Sequence, residues 1–442
     1  MENRNSLKQV HCLLFAKMSA TTQMHQLENG VRLATVSMPH MASVSVGMWA
    51  NIGSRHEQAI DHGMAHLVEH MLFKGTPTRS AEEISRQIEG LGSSIDGFTV
   101  EDHTAYHAKA PAQQFEKLFD VLADFYRNPT IDPSELESEK QVIHEEIAMV
   151  CDQPSQYLED LISEATWGTT HPLGRSITGT DDSLNSFQRD DVVRFFKDGY
   201  CGANTVISVA GNIDRDRVSA QVSEIFNSLN IGQTATCEKA ITPLTDHRFR
   251  EEADQEQVHV ALSFPGVARY DERRFAHKLL NVILGENMSS RLFQELREQR
   301  GLCYEVQSDF VSFADTGLIQ IYVALNPSQL QSALETIDQI ARDLVANGVT
   351  NKELEAAKSY IVGQSRISLE NTSSQMMWAG ECLLFFDDWR DPEFAHNAVE
   401  ATTAEAVHQA AMEVFANRQF ASALIGSTES NNLIENWRAA AV

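Results

Sequence analysis

His66 and His70 stand four residues apart in DHGMAHLVEHMLFKGT, and Glu69 immediately precedes the second of them. On a helix, positions i and i+4 project from one face at adjacent turns, so the two imidazoles form a chelating pair. Glu69 lies near the same face, where its carboxylate can take a proton from an activated water without entering the coordination sphere. The order H-x-x-E-H inverts the H-E-x-x-H of zinc hydrolases and carries the same logic. By composition alone so short a pattern turns up in roughly one chain in twenty of this size, so context must raise its weight. Catalytic zinc takes three protein ligands and keeps a fourth position open, which requires a further ligand elsewhere.

The best source of that ligand is IDPSELESEKQVIHEEIAMV. Asp132 is a suitable N-cap, Pro133 fits the first turn and Glu135 can complete the cap, so a helix starts here. Leu136, Ile143, Ile147 and Val150 form its apolar stripe; Glu139 and Glu146 fall within the stripe, while Glu137 and Glu145 point away. Carboxylates on a core-facing stripe need a counter-charge, and a zinc ion supplies one. Glu146 is therefore assigned as the third ligand and Glu139, two turns earlier, as the carboxylate that orients a histidine or aids the base. The alternative is that both only pair with neighbouring lysines or arginines. His144 reads as a surface residue beside the site. His103 and His107 alternate with Tyr106 in a strand-like hairpin and read as sheet residues rather than ligands.

The elements that must hold these residues occur twice. VSVGMWANIGSR at 44–55 has a counterpart in VHVALSFPGVAR at 258–269, with Val44/Val258, Val46/Val260 and Arg55/Arg269 in register. A helix-then-strand pattern, VVRFFKDGYCGANTVISVAGN at 192–212, returns as VHQAAMEVFANRQFASALIGS at 407–427. Two nearly equal displacements in separate places indicate duplication. The expected fold class is α+β, in two homologous domains, each a mostly antiparallel sheet packed with helices, together a half-clamshell. The boundaries expected are an N-terminal extension 1–23, a catalytic domain 24–229, a polar linker 230–247 and a homologous inactive domain 248–442. Met18 is an alternative start, and Glu28-Asn29-Gly30 reads as a hairpin turn between two strand-like segments.

Sixty-two acidic against thirty-five basic side chains give a formal charge of −27, which opposes nucleic acid and anionic membranes and favours cationic partners. The six cysteines, Cys12, Cys151, Cys201, Cys237, Cys303 and Cys382, form no C-x-x-C pair, which points to a reducing compartment and away from a thiolate metal site. The only hydrophobic N-terminal run, Val10 to Ala16, is too short for a span and is interrupted by His11.

With these motifs in hand, the sequence resembles the insulinase/pitrilysin superfamily of inverzincin zinc peptidases, and most closely the branch of the mitochondrial processing peptidase β subunit and its bacterial homologues. The resemblance runs from about residue 25 to 430 and rests on HLVEHMLFKGT, HEEI, HPLGRSITGT at 171–180 and SSRLFQELREQRGLCYEV at 289–306. It implies His66, His70 and Glu146 as ligands of one Zn2+ per chain, Glu69 as catalytic base and Glu139 as the accessory glutamate. It further implies that Arg297 and Tyr304 of the second half reach substrate near the metal. In that half, AHKLLN at 276–281 aligns with AHLVEH but has Leu280 and Asn281 where Glu69 and His70 stand, so only the first half is read as catalytic. One departure is Asp96-Gly97, where the family commonly has Asn-Ala in the edge strand that pairs with substrate. The glycine-rich loop of the noncatalytic processing subunit is absent, since LLNVILGENMSSRL has only Gly285.

The function expected is zinc-dependent endopeptidase action on short to medium, unfolded, basic peptides in an enclosed chamber. The competing expectation is a noncatalytic or weakly active assembly partner of the same fold. The family's chamber needs four such domains, which implies a homodimer or a heterodimer with a related inactive chain. A bacterial cytoplasm is favoured over a mitochondrial matrix.

Overall fold

The computed structural model describes residues 20–252 and 256–441; the extension and the alternative start at Met18 lie outside them, apart from the residues from 20 onward. Among the described residues, eleven strands form two sheets. The first contains β1 (Thr21–Gln26), β2 (Arg32–Ser37), β3 (Ser43–Ala50), β4 (Ile95–Thr99), β5 (Thr104–Pro111) and β6 (Thr205–Gly211), in the order β1-β2-β6-β3-β5-β4. The second contains β7 (His247–Glu251), β8 (Val258–Pro265), β9 (Cys303–Ser312), β10 (Gly317–Leu325) and β11 (Ala421–Gly426), in the order β7-β11-β8-β10-β9.

Removing β1 leaves two sheets of the same topology. In each, the strand latest in sequence within that sheet lies between its first and second, parallel to the first (β2 with β6, β7 with β11), and every other pairing is antiparallel. The echoes in sequence are equivalent elements: Val44 is the second residue of β3 and Val258 the first of β8, and the helices Arg189–Gly199 and Ala404–Phe415 feed β6 and β11. The chain is thus an α+β protein of two homologous halves. β1 and β2 pair antiparallel across the turn at Glu28-Asn29-Gly30, where Gly30 takes a φ of 93° that an L side chain would resist.

Packing divides the chain differently from the sequence. Among the described residues, one compact unit holds 20–144 together with Ile177–Cys237 and Arg366–Arg390; the other holds Glu145–Ser176, the residues from Glu238 to Ser365 and those from Asp391 to 441. The cause is visible in two helices. Thr372–Phe386, late in the chain, lies on β2, β3 and β6 of the first sheet. There Gly380 sits against the Trp49 ring so closely that an added Cβ would come within 2.3 Å of it. Pro154–Trp167, early in the chain, lies on β11, β8 and β7 of the second. Every residue of β6 is buried, which a strand achieves only when both faces are covered. In the second unit, Val260, Leu262, Leu279, Leu280, Ile337 and Val414 share one core, each contributing about 1.5–3 kcal/mol by burial.

Residues 230–246 adopt no regular structure. Asn230 and Ile231 carbonyls accept from the amides of Gly202 and Ala203 in the first unit, while the amides of Ala240 and Leu244 donate to Asp315 and to the Thr166 carbonyl in the second. Among the described residues, no helix is long and apolar enough to cross a membrane.

Candidate metal centre

The HxxEH residues sit on the helix Met64–Leu72. Gly63 caps it with a φ of 92°, and its Cα faces Gly179 of the GRSITGT segment so closely that a Cβ on Gly63 would lie 2.7 Å from the Gly179 Cα. Glycine at both positions therefore sets how near the helix start approaches that segment. Glu57, buried on the turn before the helix, accepts hydrogen bonds from the amides of Gly63 (2.9 Å) and Ala65 (2.8 Å). A carboxylate there satisfies helix-terminal donors and complements the positive end of the helix dipole.

The imidazoles of His66 and His70 face each other with ring centroids 4.6 Å apart. Burial, reinforced by the neighbouring His70, lowers the His66 pKa to about 3, which leaves the ring neutral with a lone pair to donate. His70 Nδ1 lies 3.0 Å from Glu139 Oε2, which fixes the ring and turns its other nitrogen outward for coordination. Burial raises the Glu139 carboxyl, but the hydrogen bonds from His70 and Lys74 outweigh this and its pKa falls below the ordinary value. The sequence offered a metal or a lysine as the counter-charge for Glu139. Lys74, just past the end of the histidine helix, fills that role directly.

Glu139 and Glu146 belong to one continuous helix, Pro133–Asp152. Asp132 caps it through the amides of Ser134 (2.8 Å) and Glu135 (3.4 Å). Farther along, Lys140 Nζ donates to the Phe187 carbonyl at 2.7 Å and His144 pairs with Asp181, so the helix is tied down at two more points. Leu136, Glu139 and Ile143 are buried; Glu146, Ile147 and Val150 are half-buried, so the stripe opens toward its end. One donor atom each from His66, His70 and Glu146 lies within 4.8 Å of the others. Among the described residues, no other group of His, Cys, Asp and Glu converges in this way. Two imidazoles and a carboxylate are a nitrogen-and-oxygen donor set that suits zinc and leaves a coordination position open.

Glu69 is buried on the same helix, and its Oε2 accepts a 2.6 Å hydrogen bond from Thr99 Oγ1 on β4. β4 is the edge of the first sheet. Gly97, two residues before Thr99 and on the same face of the pleat, approaches the other carboxylate oxygen: an added Cβ would stand 3.2 Å from Glu69 Oε1. Asp96 alternates onto the opposite face, paired in register with His107. His107 lies within β5, and His103 immediately before it packs on Phe98 and Phe385.

Arg297 and Tyr304 belong to the second unit and are neighbours there. The Arg297 guanidinium lies 4.9 Å from the Phe293 ring centroid and 5.2 Å from that of Tyr304. Arg297 stands on a π-helical turn, Phe293–Gln299, and Tyr304 is 74% exposed.

Comparison with known proteins accords with this arrangement. The pattern of the insulinase family (peptidase family M16) matches residues 32–181, and that of the peptidase M16 inactive domain matches residues 186–361. An uncharacterized zinc protease of Bacillus subtilis is 38% identical over 399 residues, 90% of this chain and 96% of the relative. The chain belongs to the insulinase (peptidase M16) family. An uncharacterized zinc protease of Mycobacterium leprae is 34% identical over 412 residues, 92% of each chain. Two solved M16-like folds superpose along most of the chain. The peptidase M16 inactive domain from Pseudomonas fluorescens gives a TM-score of 0.86 at 22% identity, over 92% of this chain and 98% of that one. A protease from Helicobacter pylori gives 0.85 at 20%, over 92% and 99%. The insulinase-family pattern spans both histidines, Glu69, Glu139 and Glu146. Within this M16 chain, Glu57, Lys74 and Thr99 are the supporting residues that sequence reasoning missed. Thr99 could have been found from the pleat, two residues beyond Gly97, and Lys74 from its spacing to His70; nothing in the sequence marks Glu57.

Proposed function

We propose that the chain is a zinc-dependent endopeptidase with one metal per chain, held by His66, His70 and Glu146. The observation that carries this is the convergence of those three donors, two of them on a helix that also presents a buried glutamate and the third on the helix Pro133–Asp152. Zinc bound there supplies Lewis acidity, polarising a carbonyl and making water a better nucleophile. Glu69 takes the proton of the attacking water and returns it to the leaving amine. Glu139 and Lys74 keep His70 in its coordinating orientation. A peptide adds to the open edge of β4 through backbone hydrogen bonds, as substrates do at exposed sheet edges. Arg297 and Tyr304 are assigned as donors to the oxyanion of the tetrahedral intermediate.

The substrates proposed are short to medium, unfolded, basic peptides, and the charge of −27 supports their basic character. We further propose a dimer, of identical chains or with a related inactive chain, acting in a bacterial cytoplasm; the scattered cysteines suit such a reducing compartment. Sedimentation of the purified protein and fractionation of the source cells test those two points.

The activity test is cleavage of a quenched basic peptide before chelation, after chelation and after zinc is returned. Loss and recovery with zinc are expected, together with slower cleavage of a matched acidic peptide. Zinc bound without any cleavage would favour the second reading, a noncatalytic assembly partner. The match of residues 186–361 to an inactive domain keeps that reading in view.

A further inference from the structure

The edge strand β4 meets the helix Met64–Leu72 at Glu69, and the contact is made through a hydroxyl. Thr99 Oγ1 lies 2.6 Å from Glu69 Oε2 and also 3.4 Å from Thr104 Oγ1. Thr104 already donates its own hydroxyl proton to the Ile52 carbonyl at 2.9 Å. Toward Thr99 it is left as an acceptor, and a hydroxyl has one proton to give. The Thr99 proton goes to the shorter, charge-assisted bond on Glu69, the stronger of the two. Gly97, on the same face, packs its Cα beside Glu69 Oε1, so two residues of one strand frame both oxygens of the carboxylate.

We infer that Thr99 is the positioning residue for the base: its hydroxyl holds Glu69 Oε2 and so directs the carboxylate, and it ties that orientation to the edge strand on which the peptide is laid. The inference rests on the peptidase reading given above. Thr99 does not touch substrate itself. It makes the rotamer of Glu69 depend on the place of β4, so peptide pairing along the strand and proton transfer at the helix share one rigid connection. A hydroxyl is the required group: serine preserves it, whereas valine keeps the shape and removes the donor.

The test compares Thr99→Val and Thr99→Ser with the unaltered chain and with Glu69→Gln, reading kcat, KM, zinc content, thermal midpoint and the Glu69 rotamer in crystals. Thr99→Val is expected to lower kcat about 10- to 100-fold with KM changed less than about threefold, because an imprecisely held base loses much of its contribution. Its zinc content and thermal midpoint should match the unaltered chain, and Glu69 should leave the position it holds beside β4. Thr99→Ser should stay within about threefold of the unaltered kcat, since it retains the donor. The inference is overturned by normal kcat in Thr99→Val, by serine faring no better than valine, or by Glu69 keeping its rotamer without the hydroxyl. Loss of zinc or of folding in Thr99→Val, restored in Thr99→Ser, would also overturn it by making the hydroxyl structural. Should the unaltered chain cleave no peptide, the peptidase reading fails, and the crystallographic rotamer alone still decides whether Thr99 positions Glu69.

Discussion

The helices Met64–Leu72 and Arg274–Asn281 occupy equivalent places in two sheets of the same topology, yet they end in different chemistry. On the first, His66 and His70 converge with a third donor, Glu146, on a neighbouring helix, and Glu69 lies beside them. On the second, His277 is buried with its Nδ1 3.1 Å from the Arg273 carbonyl. Leu280 joins the apolar core, and Asn281 bonds to Glu286 and Ser308. The duplicated backbone needs only apolar periodicity and turns. A handful of polar substitutions decides whether the same position gathers converging donor side chains or a hydrogen-bonded core. Divergence of function within one chain therefore requires no change of fold.

Four substitutions probe that contrast. Replacing Glu69 by Gln should lower kcat/KM about 10³-fold while zinc stays bound, because general-base catalysis is removed and no ligand is lost. Zinc analysis beside peptide kinetics reads both, and an equal loss of metal would place Glu69 among the ligands. Glu57→Ala should destabilise the first unit by about 3 kcal/mol, as two buried helix-end amides lose a charged acceptor; chemical denaturation measures it. Glu139→Gln should weaken zinc about 10- to 100-fold, the usual cost of losing the partner that orients a ligating histidine, in a competition with a chromogenic chelator. On the second helix, Asn281→Leu should cost only about 1–2 kcal/mol, from the lost bonds to Glu286 and Ser308, with zinc content unchanged. A fall in zinc for that last variant would erase the distinction between the two helices.

Much of this was legible in the sequence because it follows from periodicity. The i, i+4 spacing put both histidines on one face, and the stripe of Pro133–Asp152 carried Glu139 and Glu146 two turns apart. The nearly equal displacements of the repeats anticipated two sheets of one order. What periodicity supplies is a buried face; it does not say what covers it. Thr372–Phe386 and Pro154–Trp167 are each visibly helical, but their assignment to sheets formed by the other half of the sequence depends on contacts such as Gly380 on Trp49, which only packing reveals. Glu57 was equally hidden, since a carboxylate that caps a helix from a preceding turn has no fixed spacing. Thr99 and Lys74 carried a spacing but no reason to look until the edge strand and the end of the helix were seen beside Glu69 and Glu139.

The contrast between the helices turns finally on Glu146, the donor that completes the set and for which the second helix has no converging counterpart among the described residues. Metal analysis of the purified chain beside Glu146→Gln tests this most directly. One zinc per chain, lost on substitution while the thermal midpoint of the metal-stripped protein is unchanged, is the predicted result. Full zinc retention in Glu146→Gln, or no zinc in the unaltered chain after incubation with the metal, would contradict the site.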